Sequence, residues 1–154
     1  AKAADIVITT NGGAPLDQNI YQCVKGLTAA EAASKQGGVL ILCAECADGV
    51  GGEGIYRLLK ECESPERLYE TIMATPQDKT TPDQWQSQIL ARILKGRRVI
   101  FVTRPELETT VREMKMDYAP SPADALLRAR RIKGEAAAVT VIPNGVSVIV
   151  TPQE

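Results

Sequence analysis

Short apolar runs alternate with longer amphipathic stretches along this chain. Residues 5–10, 39–43, 99–103 and 138–142 are rich in β-branched and other apolar side chains, which is the pattern of strands buried within a sheet. Helical periodicity fills most of the chain between these runs. Because strands separated by helices favour parallel pairing, the sequence predicts an α/β fold with a mainly parallel sheet and helices on both faces.

Capping residues mark the starts of the predicted helices. Serine followed by proline at 64–65 and 121–122 places an N-cap before the first helical position. Thr81 begins a capping box that Gln84 completes three positions later. Asp17 is the candidate N-cap of the helix that follows the first strand. These signals indicate where the helices between the strands begin.

The C-terminal part of the chain carries a turn signal of another kind. Asn144 and Gly145 lie between the apolar runs 138–142 and 146–150. This dipeptide between two apolar runs is a strong indication of a two-residue hairpin turn. We therefore expect a C-terminal β-hairpin at the end of the sheet.

Length and charge limit the chain to an ordinary globular domain. Its 154 residues suffice for one hydrophobic core, and we interpret residues 1–154 as a single α/β domain. A net charge of −1 gives no basic footprint for nucleic acid. No apolar run approaches the ~20 residues that cross a bilayer, and no signal peptide is recognisable. We expect a cytoplasmic protein with no nucleic-acid or membrane partner.

The residues that most often carry metal and redox chemistry are scarce. The chain contains no histidine, the commonest general acid/base and metal ligand. Cys43 and Cys46 form a C-x-x-C pattern, but Cys43 closes an apolar strand, whereas a redox motif opens a helix. We interpret the four cysteines as reduced thiols. The carboxylates Glu45, Asp48 and Glu53 lack the spacing of a calcium loop, so no metal site is predicted.

The loop after the first strand is one candidate for ligand binding, because ligands of open α/β sheets bind beyond the carboxyl ends of the strands. Asn11, Gly12 and Gly13 occupy this loop. Their backbone N–H groups would suit an anion, and two glycines are equally what a tight turn needs. From the residues alone, both interpretations stay open.

The helix behind this loop has an apolar face and a polar face. Tyr21, Gln22 and Lys25 are close enough in sequence for their side chains to converge on the polar face. A phenol, an amide and an ammonium suit a small carboxylate with a neighbouring hydroxyl, although a solvated helix face has a similar composition. Trp85, the only tryptophan, lies in the first turn of its helix, either as a core anchor or as a ligand contact.

Four segments together resemble one protein family. In chain order they are NGGAPLDQNIYQCVKG at 11–26, CAECADG followed by GGEG within 43–54, DQWQSQIL at 83–90 and VTVIPNGVSV at 139–148. Each is similar to the corresponding segment of the nickel-dependent lactate racemase family. The similarity spans essentially the whole chain and does not depend on any single short motif.

The resemblance implies the C-terminal domain of a two-domain enzyme that interconverts the enantiomers of a 2-hydroxy acid such as lactate. The implied cofactor is a nickel pincer nucleotide, a pyridinium mononucleotide with sulfur arms, held mainly by an N-terminal domain. Hydride would pass from the substrate's α-carbon to this cofactor and return to the opposite face. Histidines of the N-terminal domain would move the hydroxyl proton and ligate nickel. The resemblance thus predicts no catalytic residue and no metal ligand in this chain, which alone would be inactive.

The family's substrate contacts carry over onto positions of this sequence. Its tyrosine, glutamine and lysine fall on Tyr21, Gln22 and Lys25, and its active-site tryptophan falls on Trp85. The sequence departs from the family at Val50, in the glycine-rich loop that follows the apolar run 39–43, where the family usually has histidine. The resemblance therefore leaves the particular 2-hydroxy acid open. The expected partners are this small substrate and the N-terminal domain of the same protein.

The residues alone leave two other functions open. The first is a non-catalytic small-ligand or nucleotide-binding module that uses the turn at 11–13 as an anion cradle. The second is a protein-interaction domain that uses the polar face of the first helix. A racemase differs from both in requiring a further domain that supplies histidines.

Overall fold

Five strands form one sheet in the computed structural model, which describes residues 2–151. They are β1 (Ala4–Thr10), β2 (Ser34–Cys43), β3 (Arg98–Val102), β4 (Asp117–Ala119) and β5 (Val139–Ile142). Their order across the sheet is β4-β3-β2-β1-β5, and every neighbouring pair is parallel. The α/β class and the parallel sheet are confirmed. Strand β4 is an addition to the prediction, because three residues do not make a recognisable apolar run.

Six α-helices connect the strands: α1 (Ile20–Ala33), α2 (Glu53–Glu61), α3 (Pro65–Ala74), α4 (Gln84–Gly96), α5 (Glu108–Glu113) and α6 (Pro122–Lys133). Short 3-10 turns at Gln77–Lys79 and Pro105–Leu107 precede α4 and α5. Ser64 and Ser121 cap α3 and α6 as predicted, because each hydroxyl accepts a hydrogen bond from a backbone N–H in the first turn.

The sheet buries side chains on both faces, because successive strand residues point to opposite sides. One face, which includes Leu40 and Phe101, packs against α1, α2 and α4. The other face, which includes Ile41, packs against Ala125 and Ala129 of α6. Helices on both faces of the sheet are therefore confirmed, with α1 and α4 on the same face.

The N-cap of α1 is Asn19, so the prediction of Asp17 is wrong. Asn19 Oδ1 accepts a hydrogen bond from the N–H of Gln22 at 2.9 Å. Asp17 instead holds the loop between β2 and α2: its carboxylate accepts from the N–H of Glu45 at 3.2 Å, and its carbonyl accepts from Cys46 at 3.0 Å. Both residues are good caps in isolation, and this loop determines which of them fills the role.

The start of α4 differs in a similar way from the predicted capping box. The helix begins at Gln84, and Asp83 is its N-cap with a left-handed φ of 58°. The N–H of Thr81 donates to Gln84 Oε1 at 3.2 Å, which is the reverse half of a capping box. The Thr81 hydroxyl also points to Gln84 Oε1, at 3.4 Å, so it does not cap the helix backbone.

The predicted C-terminal hairpin is wrong. Strand β5 pairs in parallel with β1, and no strand follows it within residues 2–151. The N–H of Gly145 donates to the carbonyl of Thr10 at 2.9 Å, and a Cβ atom on Gly145 would lie only 2.8 Å from the carbonyl oxygen of Gly26. The Asn144-Gly145 turn thus closes over the end of β1 against α1, and this close packing replaces the chain reversal of a hairpin.

In the described part of the chain, no helix has both the length and the apolar character that crossing a membrane requires.

Candidate functional site

The connections of the sheet change direction at β1. The chain proceeds from β1 through β2 and β3 to β4, then returns to the opposite side of β1 as β5. The carboxyl ends of β1 and β5 therefore flank a topological switch point, where open α/β sheets bind ligands. Because α1 and α4 each lead back to the start of a parallel strand, their first turns lie at this carboxyl edge of the sheet.

The N-terminus of α1 is occupied by protein groups. The N–H of Ile20 donates to the carbonyl of Gly49 at 3.0 Å, and the N–H of Tyr21 donates to that of Val50 at 2.9 Å. A side chain on Gly51 would overlap Asn19, which explains a glycine at this close approach. The glycine-rich loop between β2 and α2 thus holds the start of α1 in place. Its carbonyls also satisfy N–H donors that an anion would otherwise bind.

The loop after β1 is also held by internal contacts. Asn11 is buried, and its amide nitrogen donates to the carbonyls of Leu16 at 2.7 Å and Gln22 at 2.9 Å. Its amide oxygen accepts from the N–H of Gly26 at 3.1 Å. The N–H of Gly12 donates to the Thr10 hydroxyl at 2.9 Å. These contacts indicate that the loop after β1 is a tight turn rather than an anion cradle.

Asn11 therefore has a role that the sequence did not indicate. Its amide contacts both the carbonyl of Gln22 and the N–H of Gly26, which belong to the same helical turn. That turn carries Lys25. A buried amide that satisfies three backbone groups fixes the turn relative to the end of β1.

The four predicted site residues lie at the carboxyl edge, on the sheet face that α1 and α4 cover. Tyr21, Gln22 and Lys25 lie in the first two turns of α1, and Trp85 lies in the first turn of α4. The rings of Tyr21 and Trp85 meet edge to face with centroids 6.3 Å apart, and Lys25 Nζ donates to Gln22 Oε1 at 2.6 Å. Direct contacts thus link Tyr21 with Trp85 and Gln22 with Lys25.

Trp85 lies at the surface. Its side chain is 49% exposed, so it does not anchor the core. It packs against Tyr21 in the edge-to-face arrangement that aromatic rings prefer. Of the two interpretations of this residue, the core anchor is therefore wrong, and the ligand contact stays a prediction.

Gln86 connects the two helices and was not among the predicted residues. It is fully buried, and its amide nitrogen donates to the carbonyl of Tyr21 at 2.5 Å. Its Oε1 atom has no hydrogen-bond partner among the described residues. Gln86 falls on the same helical stripe as Leu90 and Ile93, and a polar residue on an apolar stripe is the sequence signal that could have identified it.

Two charged side chains, Lys25 and Asp83, determine the electrostatic character of the site. The Lys25 ammonium is exposed and bonds to a neutral amide, and no carboxylate of residues 2–151 lies within 4.0 Å of it.

The Tyr21 hydroxyl donates to Asp83 Oδ1 at 2.9 Å. Partial burial, followed by the negative charge and hydrogen bond of Asp83, raises the pKa of Tyr21, so the phenol keeps its proton at neutral pH. The site can bind an anion and a hydroxyl group.

Metal ligands do not gather at this edge. Among residues 2–151, no three histidine, cysteine, aspartate or glutamate side chains are close enough together to hold a metal ion. Glu45, Asp48 and Glu53 therefore form no metal site in the described structure. The glycine-rich loop that contains the first two contributes backbone contacts to α1.

Nearly the whole chain is similar to proteins of one family. The model described as lactate racemase C-terminal domain matches residues 1–150. The chain belongs to this family. It is 55% identical over 150 residues to the lactate racemase of Thermoanaerobacterium thermosaccharolyticum and 49% identical over 146 residues to that of Lactiplantibacillus plantarum. The matches cover 97% and 95% of this chain.

The fold agrees with a solved structure of the same family. The structure of the lactate racemase apoprotein from T. thermosaccharolyticum superposes with a TM-score of 0.96 at 54% identity and covers 98% of this chain. The chain spans about a third of the length of the curated relatives, 35% and 34% respectively. The family therefore identifies the domain, and the rest of those relatives lies outside the matched region.

Proposed function

We propose that this chain is the substrate-contacting C-terminal domain of a two-domain racemase that acts on lactate or a related 2-hydroxy acid. The observation that carries the proposal is Lys25, an exposed cation whose partner is a neutral amide. It lies at the carboxyl edge, close in sequence to Tyr21 and Gln22. The names of the relatives, both lactate racemases, support the substrate class.

Each of the four side chains has a distinct part in binding. The Lys25 ammonium bonds to the substrate carboxylate, and the Gln22 amide steadies that ammonium and adds a hydrogen bond. Tyr21 directs its proton to Asp83 and offers its oxygen lone pairs to the substrate hydroxyl. Trp85 adds an apolar wall over the small alkyl group.

These groups hold and orient the substrate without moving its protons. Racemisation removes the hydrogen of the α-carbon and returns it to the opposite face, so the α-carbon must keep its position in the site while its geometry changes. A carboxylate held at Lys25 limits that motion. The exposed aromatic pair would exclude water once the domain closes over the substrate.

The family's nickel pincer nucleotide would supply the hydride chemistry. The described residues do not fit a nickel site, because they bring no three suitable ligands together and the chain has no histidine. We therefore assign the cofactor, the nickel ligands and the acid/base histidines to an N-terminal domain of the same protein. A cytoplasmic location and the isomerase activity of the whole protein belong to the same proposal.

The proposal is tested by steady-state kinetics of the full-length racemase with Lys25→Ala. Loss of the charge-assisted hydrogen bond should destabilise the transition state by about 1.5–3 kcal/mol, which lowers kcat/KM roughly 10- to 150-fold. Part of this loss should appear in kcat, because the contact positions the reacting carbon. Lys25→Arg should recover little, because the planar guanidinium reaches differently. Lys35→Ala, which removes an exposed cation paired with Asp5, is the matched control. Near-normal turnover in Lys25→Ala with an unchanged melt would remove Lys25 from the site.

The assignment of metal chemistry to another domain has its own test. We expect the 154-residue chain alone to fold, to show no racemase activity and to bind no stoichiometric nickel. Elemental analysis of the purified, untagged chain measures this directly. One nickel per chain would contradict the assignment.

A further inference from the structure

Two thiols meet beneath the first turns of α1. The Sγ atoms of Cys23 and Cys46 lie 3.8 Å apart, and both side chains are buried. Cys43, the other member of the C-x-x-C pattern, is a separate free thiol at the end of β2. The pair is therefore formed between α1 and the β2–α2 loop, and the spacing of the motif does not reveal it.

The backbone holds Cys46 in an unusual conformation. Its φ of 56° lies in the left-handed region, which is costly for a residue with a Cβ atom. Two hydrogen bonds keep it there: its N–H donates to the carbonyl of Asp17 at 3.0 Å, and its carbonyl accepts from Gly49 at 2.9 Å. The loop thus presents the Cys46 sulfur to Cys23 in a fixed position.

A small cavity reaches Cys46 from the surface. It has a volume of about 240 Å³ and lies between the β2–α2 loop and the segment after β3. Cys46, Ala47 and Arg104 are among its lining residues. Both cysteines belong to the core cluster, but Cys46 lines this cavity and Cys23 does not, so a small oxidant approaches the pair from the Cys46 side.

The two thiols differ in acidity. The hydrogen bond from Cys23, together with one from the Thr103 hydroxyl, lowers the pKa of Cys46. The same hydrogen bond to Cys46, followed by burial, raises the pKa of Cys23. Cys46 is thus the more nucleophilic partner, since the thiolate is the reactive form of cysteine.

We propose that Cys23 and Cys46 form an oxidation site at which a hydroperoxide converts the two thiols into a disulfide. The Cys46 sulfur attacks the terminal peroxide oxygen, the O–O bond breaks, and an alcohol or water leaves with the thiol proton. The Cys23 sulfur then attacks the resulting sulfenic acid, the S–O bond breaks, and water leaves with the second proton. Two thiols lose two electrons, and one hydroperoxide is reduced.

This chemistry is independent of the proposed racemase function and has a structural consequence near Tyr21. Disulfide formation shortens the sulfur separation from 3.8 Å to about 2.05 Å, and we expect it to draw the loop towards α1. The same loop supplies the Gly49 and Val50 carbonyls that accept from the start of α1. Oxidation should therefore change the surroundings of Trp85, which packs on Tyr21.

The test uses a variant in which Cys43→Ser and Cys62→Ser leave only the proposed pair. After treatment with hydrogen peroxide, we expect both thiols to disappear from a thiol count and the intact mass to fall by two hydrogens. A tryptic digest should join the peptide ending at Lys25 to the peptide containing Cys46. Trp85 emission should shift and recover with dithiothreitol. Retained thiols, oxygen addition without a cross-link, or covalent dimers would overturn the proposal, and unchanged emission would overturn the coupling to Tyr21.

The order of the two steps has a separate test in the otherwise unaltered chain. In Cys23→Ser, oxidation should stop at a Cys46 sulfenic acid, which dimedone captures. In Cys46→Ser, Cys23 should remain unlabelled, because its side chain is fully buried and it does not line the cavity. Dimedone on Cys23 and none on Cys46 would reverse the assignment. Circular dichroism of both variants confirms that each is folded before labelling.

Discussion

At the amino edge of the sheet, where the parallel strands begin, charged side chains pair with one another. At the carboxyl edge, the Lys25 ammonium has only a neutral partner. Lys35 Nζ lies 2.9 Å from Asp5, and Arg98 forms an ion pair with Asp117. Lys25 donates instead to the Gln22 amide, with no carboxylate of the described residues within 4.0 Å. Lys25, which lies at the edge that parallel sheets use for ligands, thus remains available to an anion from outside.

The two edges also differ in how they are held together. The amino-edge pairs are exposed and contribute little to stability, because water and salt screen them. The carboxyl edge is held by buried neutral hydrogen bonds, chiefly those of Asn11 and Gln86. Neutral groups can fix a cation in place without neutralising it, and this is the physical advantage of amides at a binding site.

The largest expected effect on folding is at Asn11. In Asn11→Ala, the N–H of Gly26 and the carbonyls of Leu16 and Gln22 lose their hydrogen bonds to the buried amide, which should cost about 3 kcal/mol of unfolding free energy. Asp117→Asn at the amino edge, which weakens an exposed ion pair, should cost less than about 1 kcal/mol. Urea denaturation of both variants measures the difference. Equal losses would show that the two edges are stabilised alike.

A smaller effect, mainly on function, is expected at Gln86. Gln86→Leu removes the hydrogen bond to the carbonyl of Tyr21 but also removes an amide oxygen that has no partner in the described structure, so the stability change should stay within about 1 kcal/mol. In the proposed full-length racemase, a misplaced Tyr21 should lower kcat/KM roughly tenfold.

Ser87 provides the matched control for Gln86. Its buried hydroxyl also lacks a hydrogen-bond partner among the described residues, but it makes no contact with Tyr21 through that group. Ser87→Ala should leave kcat and KM unchanged. If Gln86→Leu affects only the melting temperature, Gln86 is structural and does not position Tyr21.

The smallest effect is expected at Asp5 and depends on pH. A hydrogen bond from Lys35, followed by one from the N–H of Ala138, lowers the pKa of Asp5 below its usual 3.8. Its contribution to stability is therefore present above pH 3.8 and is lost as the pH falls through the lowered pKa. The difference in melting temperature between the unaltered chain and Asp5→Asn should shrink below pH 3.8 and in high salt. A difference that grows on acidification would contradict this assignment.

Local pattern was sufficient for the strands and helices that have long, periodic signals. The apolar runs predicted β1, β2, β3 and β5, and two Ser-Pro caps located α3 and α6. It was insufficient where tertiary contacts decide between equivalent local choices. Asn144-Gly145 suits a hairpin, but packing of Gly145 against Gly26 turns the chain over β1. The choice between Asp17 and Asn19 as N-cap depends likewise on the loop at 45–50.

The candidate site, like the fold, could be predicted only in part from the sequence. Helical periodicity placed Tyr21, Gln22 and Lys25 on one polar face, and the family resemblance selected them and Trp85. Asn11 acts through contacts between a loop and a helix, and Gln86 through a contact 65 positions away, so periodicity could not give their roles. The Cys23 and Cys46 pair escaped for the same reason, since 23 positions separate its members.

The central claim is that Lys25 is the cation that holds the substrate anion, and substrate binding tests it most directly. Isothermal titration of the proposed full-length racemase with lactate should show that Lys25→Ala binds roughly 10- to 150-fold more weakly than the unaltered protein, because one charge-assisted hydrogen bond is lost. Lys35→Ala, which disrupts a paired cation at the opposite edge, should bind within about twofold of the unaltered protein, since surface ion pairs contribute little. Equal affinities of the unaltered protein and Lys25→Ala would contradict the account.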